Sequence, residues 1–357
     1  MSLQGGAVKS SLPPLTAGII NHNGRDCIAD TISSILQNGY PDVEVIVVDD
    51  CSTDGSAEMV RARFPAVKVF VQERNMGPNA ARNRVMREAG RDFVFVTDND
   101  ITLAPGGLRR LMETMLAGFD VGVATPMVLD SLDETKIYSN GAGLHYTCFG
   151  VIPLRHEHIP ENMDMTPRRS VCGSGGIMLL RKKMWEALGG FDEDFVFGYD
   201  DGEFTYRASA AGWKVMQVPE ARIYHIEKPG RRPDRLRYQL KGRLTLILKA
   251  YSARSLFLLA PALLAFEVVN LSFLASRGLA GEWINGTGMV MGDFARIMEK
   301  RAAVMAMKKV PDKDLLEAGD IYMFPSRLGG GLARIGKRVF ESALKAYWGL
   351  VRPLLTK

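Results

Sequence analysis

The stretch Phe93 to Asp100, FVFVTDND, constrains this chain more than any other. Four consecutive apolar, β-favouring residues, Phe93 to Val96, run into two carboxylates one residue apart, Asp98 and Asp100. Such a run predicts a strand covered on both faces of a parallel sheet and stopping at a polar turn. Ligands of open α/β sheets gather at these carboxyl ends. With only Asn99 between them, Asp98 and Asp100 can face one small volume. Two negative groups there repel unless a cation or a proton compensates, and a hard divalent metal carrying a diphosphate meets that need. The same triplet also suits an ordinary turn or helix cap, so the rest of the chain has to decide.

The order of elements points the same way. Thr16 to Ile20 reads as a strand ending in NHNGRD, followed by Ile28, Ile32, Ile35 and Leu36 at helical spacing, with Asp26 placed to cap the helix and Gly39 to stop it. Val43 to Val48 is a second strand and ends in DDCSTDGS. A short helix leads to strand Val67 to Val71, and NMGPNAARN, Asn75 to Asn83, opens a helix running to about Ala89. Strand and helix thus alternate four times up to Phe93, the pattern of an α/β, Rossmann-like sheet with helices on both faces. Further on, Gly107 to Leu116 predicts a helix, while Val121 to Thr125, Ile177 to Leu180 and Lys214 to Val218 predict strands. The polar run His156 to Ser170 reads as a mobile surface loop with solvated histidines at 156 and 158.

Two common ligand classes are disfavoured by the strand ends. A dinucleotide site wants G-x-G-x-x-G after the first strand, yet NHNGRD has one glycine, Gly24. No Gly-Lys-Ser/Thr phosphate loop follows a strand either. Acid stands there instead: Asp49 and Asp50, then Asp98 and Asp100. Acceptor-only side chains suit base and ribose recognition or metal chelation. Chemistry returns at VCGSGGIMLLRK, where the glycine-rich turn Gly173 to Gly176 either is simply a tight turn or lets a sugar pack against backbone. GGFDEDFVFGYDDGEFTYR then places Asp192, Glu193, Asp194, Asp200, Asp201 and Glu203 within twelve residues. Asp200 and Asp201 open a helix over Asp200 to Ala211, where carboxylates serve as dipole partners or as a general base. His225 stands alone after Ile223 and Tyr224.

Taken together, VVDDCSTDGS, NMGPNAARN, the triplet DND, GGFDEDF, YDDGEFTYR and the His225 segment resemble, in this order, the family 2 glycosyltransferases of the GT-A type. The resemblance runs from about Leu15 to Glu227. It implies a mostly parallel mixed sheet and a nucleoside diphosphate-sugar donor (UDP-, dTDP- or GDP-sugar). It places His22, Asp49 and Asp50 about the nucleotide, Asp98 at the ribose or metal shell, and Asp100 and His225 on a divalent metal, Mn2+ or Mg2+. It makes Asp201 the catalytic base, beside Asp200 where the family has Glu, and sets Gly175 and Gly176 near the acceptor or donor sugar. The implied reaction is inverting transfer of a single sugar to a glycan or polyprenyl-linked acceptor; the processive Q-x-x-R-W signature is missing. The C-terminal extension resembles the rhamnosyltransferase-like branch of bacterial cell-surface polysaccharide assembly. Competing readings are a non-catalytic sugar-nucleotide-binding protein of this fold and a nucleotidyltransferase.

Residues 1–14 read as a flexible tail without a signal-peptide core, 15–228 as the GT-A domain and 229–357 as a basic, amphipathic helical region. Four cysteines without C-x-x-C spacing suggest a reducing, cytoplasmic setting. From Lys228 to Arg254 nine Lys or Arg face one acid, although the whole chain carries only +5. An apolar run, Leu256 to Ala275, follows at once. That combination favours an anionic membrane surface at the inner face of the cell membrane over nucleic acid. Pro261, Glu267 and Asn270 argue against simple insertion, so a helix in the interface, a re-entrant pair broken near Pro261, or a packed core helix are the choices. Ile335, Val339, Phe340, Ala343, Leu344, Tyr347, Trp348 and Val351 recur at helical spacing and suit a membrane surface or a homo-oligomer contact.

Overall fold

The computed structural model describes residues 12–173, 176–226, 234–321 and 331–356. Gly175, most of the N-terminal tail and the expected domain boundary at 228 lie outside them. Six strands share one direction: β1 (Leu15–Asn21), β2 (Val43–Asp49), β3 (Lys68–Val71), β4 (Phe93–Asp98), β6 (Val121–Asp130) and β12 (Lys214–His225). β11 (Met178–Arg181) runs antiparallel between β4 and β6, giving the order β12-β6-β11-β4-β1-β2-β3. This is the mixed, mostly parallel α/β sheet that the apolar runs require: Val94, Phe95 and Val96 are fully buried, as only a strand covered on both faces can be.

Helices α1 (Ile28–Leu36), α2 (Ser56–Arg63), α3 (Pro78–Glu88) and α4 (Gly107–Leu116) connect the early strands. α1 begins after Cys27 with no side-chain cap, so Asp26 does not act as the expected cap. A small strand, β5 (Ile101–Leu103), turns back from β4 and pairs antiparallel with the end of β12. No alternating pattern long enough to reveal it exists in three residues. β7 (Ile137–Ser139) adds to β6, and β8 (Gly143–Leu144) pairs with β9 (Gly150–Val151). The run His156 to Ser170 is more ordered than its composition suggests: its end forms β10 (Arg168–Ser170) on β12, and His158 bridges to Lys136.

After α5 (Lys182–Ala187) comes α6 (Asp200–Ala210), then a helical layer of α7 (Asp234–Ala250), α8 (Ala253–Ala275), α9 (Ala280–Gly292), α10 (Phe294–Met307) and α11 (Gly331–Val351). α8 is one continuous helix through Pro261, so the re-entrant break does not occur. Its acid, Glu267, turns inward to Arg243 of α7 and Trp283 of α9. Phe257, Leu264 and Val268, at helical spacing, turn outward and are 81%, 67% and 66% exposed.

Among the described residues of the basic segment, four cations are taken up by the protein's own acids. Arg237 pairs with Glu282, Lys241 with Asp293, Arg243 with Glu267, and Lys249 with Asp192 and Glu203. A count along the chain cannot see partners supplied by distant helices. These pairs fasten the helical layer together and to the sheet domain; Lys300 of α10 adds bonds to Asp192 and Asp194. None of the four cysteines is disulfide-bonded.

Candidate active site

The site forms where β1, β2 and β4 end. Asn99 does not point with its two neighbours: its amide donates to Asn21 Oδ1 at 2.6 Å and ties the end of β4 to that of β1. A Cβ on Gly24 would sit 2.0 Å from Asn99 Nδ2, so the single glycine of NHNGRD makes room for this lock. With Asn99 held back, Asp98 and Asp100 flank the corner between β4 and β5. Because β5 pairs with β12 in the register Ile101 opposite His225, the imidazole comes to Asp100. Nε2 of His225 lies 3.7 Å from Asp100 Oδ1.

That pair gives a direct test for a divalent metal. Asp100 Oδ1 is buried without a hydrogen-bond partner, and at 3.7 Å the Nε2 of His225 that faces it is too far to satisfy it. An oxygen and a nitrogen ligand so placed fit Mn2+ or Mg2+. Among the described residues no group of three or more His, Cys, Asp or Glu side chains could enclose a metal alone. Two protein ligands are what a metal shared with phosphate oxygens uses.

Asp49 and Asp50 perform structural work at this corner. Asp49 accepts from Asn21 at 2.6 Å and from the Ser52 amide at 2.8 Å, shaping the turn after β2. Asp50 accepts from Gln72, the Met76 amide and the Gly77 amide at 2.6, 2.7 and 2.8 Å, anchoring the N-terminus of α3. His22, exposed, sits over the Asp50 carbonyl at 2.9 Å with Asn75 beside it. The corner expected to hold the nucleotide therefore exposes His22 and Asn75, while the carboxylates of Asp49 and Asp50 face inward.

The residue that sequence reasoning overlooked is Arg82. It lies on the buried face of α3 and donates to Asp200 at 2.5 Å and Asp98 at 3.4 Å, bridging the D-x-D corner to the first turn of α6. Burial opposes its charge, but Asp200 and Asp98 hold it protonated beyond its ordinary value. The signal was present: an arginine among small residues in NMGPNAARN, on a face that must be buried. The same helix grips the GGFDEDF loop, since Asn79 bonds the Asp192 carbonyl and Asn83 bonds the Phe191 backbone and Glu193.

Asp201 is placed differently from Asp200. Its Oδ2 accepts from the Gly176 amide at 2.9 Å and its Oδ1 from the Gly202 amide at 2.7 Å. Burial and the neighbouring Asp200 charge raise its carboxyl above the usual range. Burial, joined by Asp100, Asp200 and Asp201 and opposed by Arg82, lifts Asp98 to about 7. Gly176 adopts φ +68, and a Cβ there would stand 2.4 Å from Arg82 Nη2 and 3.4 Å from Asp98 Oδ2. The bare backbone admits the arginine and the two carboxylates, which is a stronger reason for glycine than a close-packed sugar.

The sequence matches the family described as Glycosyl transferase family 2 over residues 16–189, a span holding the ends of β1, β2 and β4. Residues 16–189, just under half of the chain, are a family 2 glycosyltransferase domain. Residues 162–229, with α6 and His225, match the description N-terminal domain of galactosyltransferase. Among curated relatives, the N-acetylglucosaminyl-diphospho-decaprenol L-rhamnosyltransferase of Mycobacterium tuberculosis is 25% identical over 206 residues, 51% of this chain and 66% of the relative. The chain thus spans just under two thirds of that protein's length. The solved structure of GalNAc-T7 with UDP, GalNAc and Mn2+ aligns with a TM-score of 0.57 at 19% identity, over 68% of this chain and 49% of that one. The mannosyltransferase PcManGT of Pyrobaculum calidifontis, with GDP-Man and Mn2+, aligns with a TM-score of 0.52 at 18% identity, over 84% and 86%. These structural likenesses establish the GT-A fold.

Proposed function

We propose that this chain transfers one sugar from a nucleoside diphosphate-sugar to a hydroxyl of a glycan or polyprenyl-linked acceptor, with inversion, in bacterial cell-surface polysaccharide assembly. The observation that carries the reading is the single corner at which Asp98, Asp100 and His225 meet the carboxylate pair of α6 through Arg82 and Gly176. His22 and Asn75 receive the nucleotide at its edge. Asp100 and His225, with Asp98 beside them, would hold a divalent metal, which when bound supplies positive charge for the departing diphosphate.

Of the two carboxylates on α6, Asp201 is the base. Asp200 is committed to Arg82 at 2.5 Å, whereas Asp201 is held by two backbone amides that orient it without neutralising it. Its raised proton affinity suits removal of a proton from an attacking hydroxyl near neutral pH. The hydroxyl oxygen bonds to the anomeric carbon as the bond to the diphosphate breaks, and its proton passes to Asp201. One displacement on the face opposite the leaving group inverts the centre.

The acceptor's location follows from the helical layer. The mycobacterial relative is named for a decaprenol-linked substrate, and α8 presents an outward apolar face at Phe257, Leu264 and Val268, joined by Ile335, Val339 and Leu350 of α11. Exposed large apolar residues in such number mark an interaction surface. We place it on the inner face of the cell membrane, with apolar contact carrying the attachment, since Arg237, Lys241, Arg243 and Lys249 of the basic segment are paired internally. The deciding experiment incubates UDP-, dTDP- and GDP-sugars with Mn2+ or Mg2+ and measures nucleoside diphosphate release. Metal-dependent release from one donor, lost in Asp100→Ala and Asp201→Asn, supports the reading. Donor binding without release, even with membrane extract as acceptor, refutes it in favour of a binding protein, and pyrophosphate release refutes it in favour of nucleotidyl transfer.

A further inference from the structure

The segment Leu154-Arg155-His156 carries two backbone anomalies. Leu154 has φ 58 and His156 has φ 63, so two residues without glycine's freedom adopt left-handed conformations on either side of one arginine. Such strain persists only where surrounding contacts over-determine it, and it clusters at ligand clamps. The contacts are present. Leu154 packs with Ile159, Met163, Met165 and Tyr224 against buried Met127, Leu129 and Ile137. The His156 amide donates to the Ile137 carbonyl at 2.7 Å and the Ile137 amide to the Glu157 carbonyl at 2.9 Å, fastening the segment to β7.

What the strain presents is Arg155. Its guanidinium carbon lies 4.5 Å from the centre of the Tyr138 ring, and that ring packs at 4.8 Å, tilted 36°, on the imidazole of His225. Arg155, Tyr138, His225 and Asp100 therefore follow one another in successive contacts from this segment to the D-x-D corner. A divalent metal on Asp100 and His225 would meet part of the negative charge there. Asp98, Asp100, Asp200 and Asp201 stand around one buried arginine, Arg82, already shared by two of them. A diphosphate arriving at this corner adds further negative charge. A planar guanidinium, half-buried and braced on an aromatic ring, matches phosphate oxygens in geometry as well as charge.

We propose that Arg155, braced by Tyr138, binds the diphosphate of the donor and stays with it as the bond to the sugar breaks. The proposal rests on the nucleotide-sugar reading above and assigns part of its site to a segment outside every motif used to identify it. Tyr138 acts as a positioning residue: its ring touches both the guanidinium and the imidazole of His225.

The test compares affinities for a nucleoside monophosphate and the matching diphosphate in the presence of Mn2+, by calorimetric titration of the full chain with the UMP/UDP, dTMP/dTDP and GMP/GDP pairs. In Arg155→Ala the diphosphate's advantage over the monophosphate is expected to shrink about tenfold, the scale of one charge-assisted hydrogen bond. Monophosphate affinity should hold, Arg155→Lys should recover part of the difference, and Tyr138→Leu should resemble Arg155→Ala. An unchanged ratio in Arg155→Ala, or equal weakening of both ligands, overturns the proposal while leaving the nucleotide-sugar reading intact. A wild-type protein that binds none of the three diphosphates overturns both.

Discussion

Replacing Lys249 by methionine tests the link between the helical layer and α6. Lys249 is 2% exposed and reaches from α7 to Glu203, in the first turn of α6, at 2.7 Å, and to Asp192 in the loop before it. Glu203 and Asp192 are 0% and 6% exposed. Removing one partner of a buried pair costs about 3–5 kcal/mol because the other charge is left uncompensated. Here Glu203 keeps Arg207, at 2.6 and 3.0 Å, and Asp192 keeps Lys300, so the lower end applies. Lys249→Met should lose about 3 kcal/mol, or roughly 6 °C in Tm at about 2 °C per kcal/mol for a large chain. Adding Glu203→Gln should cost less than the two single changes together, with coupling above about 1 kcal/mol. The pH response supplies a second check. Burial alone would raise the Asp192 carboxyl, but Lys249 and Lys300 hold it well below the usual range. Its contribution is therefore complete above the unfolded value of about 4 and is lost as pH falls below that. Without Lys249 the contribution should be smaller and be exhausted at a higher pH, giving a shallower acid limb. Thermal melts from pH 3 to 8 measure both effects; a variant within 1 kcal/mol of wild type, with a superimposable acid limb, would refute the argument.

Gly176→Ala forces a Cβ to within 2.4 Å of Arg82 at φ +68. It should cost about 1–2 kcal/mol in stability and lower nucleoside diphosphate release at least about tenfold, whereas unchanged kinetics would show that Arg82 can move without consequence. Burial, then the charge of Lys345, depresses His145 to about 4, and its Nδ1 accepts the Thr147 amide at 3.1 Å. The unfolded chain thus binds a proton that the folded chain refuses, and stability falls as pH drops from about 6.5 towards 4. His145→Asn, which retains an acceptor, should flatten the Tm profile in that window, and an identical slope would contradict this account. Phe257→Asp with Leu264→Asp should abolish flotation with anionic vesicles yet leave donor binding intact. Flotation equal to wild type would remove the membrane surface from α8.

The parallel strands were legible because the rule behind them is local. A strand covered on both faces must be apolar throughout, so Val43 to Val48 and Phe93 to Val96 appear in β2 and β4 with one or two residues added at the ends. The same holds for Gly107 to Leu116, whose helical period reports its one buried face. Those strands end in acids, and the acids mark the site. Partners, by contrast, were settled by the fold. Arg82 meets Asp200 across 118 residues and Lys249 meets Asp192 across 57, separations over which nothing in the sequence specifies a contact. Three-residue β5 brings His225 to Asp100, and the carboxylate of Asp50 turns inward to α3. A carboxylate at a strand end is written in the chain; whether it faces a metal, an amide or an arginine depends on which distant backbone arrives beside it. The same is true of the basic run before α8, which by count resembles a surface for lipids and in space gives Arg237, Lys241, Arg243 and Lys249 to the protein's own acids.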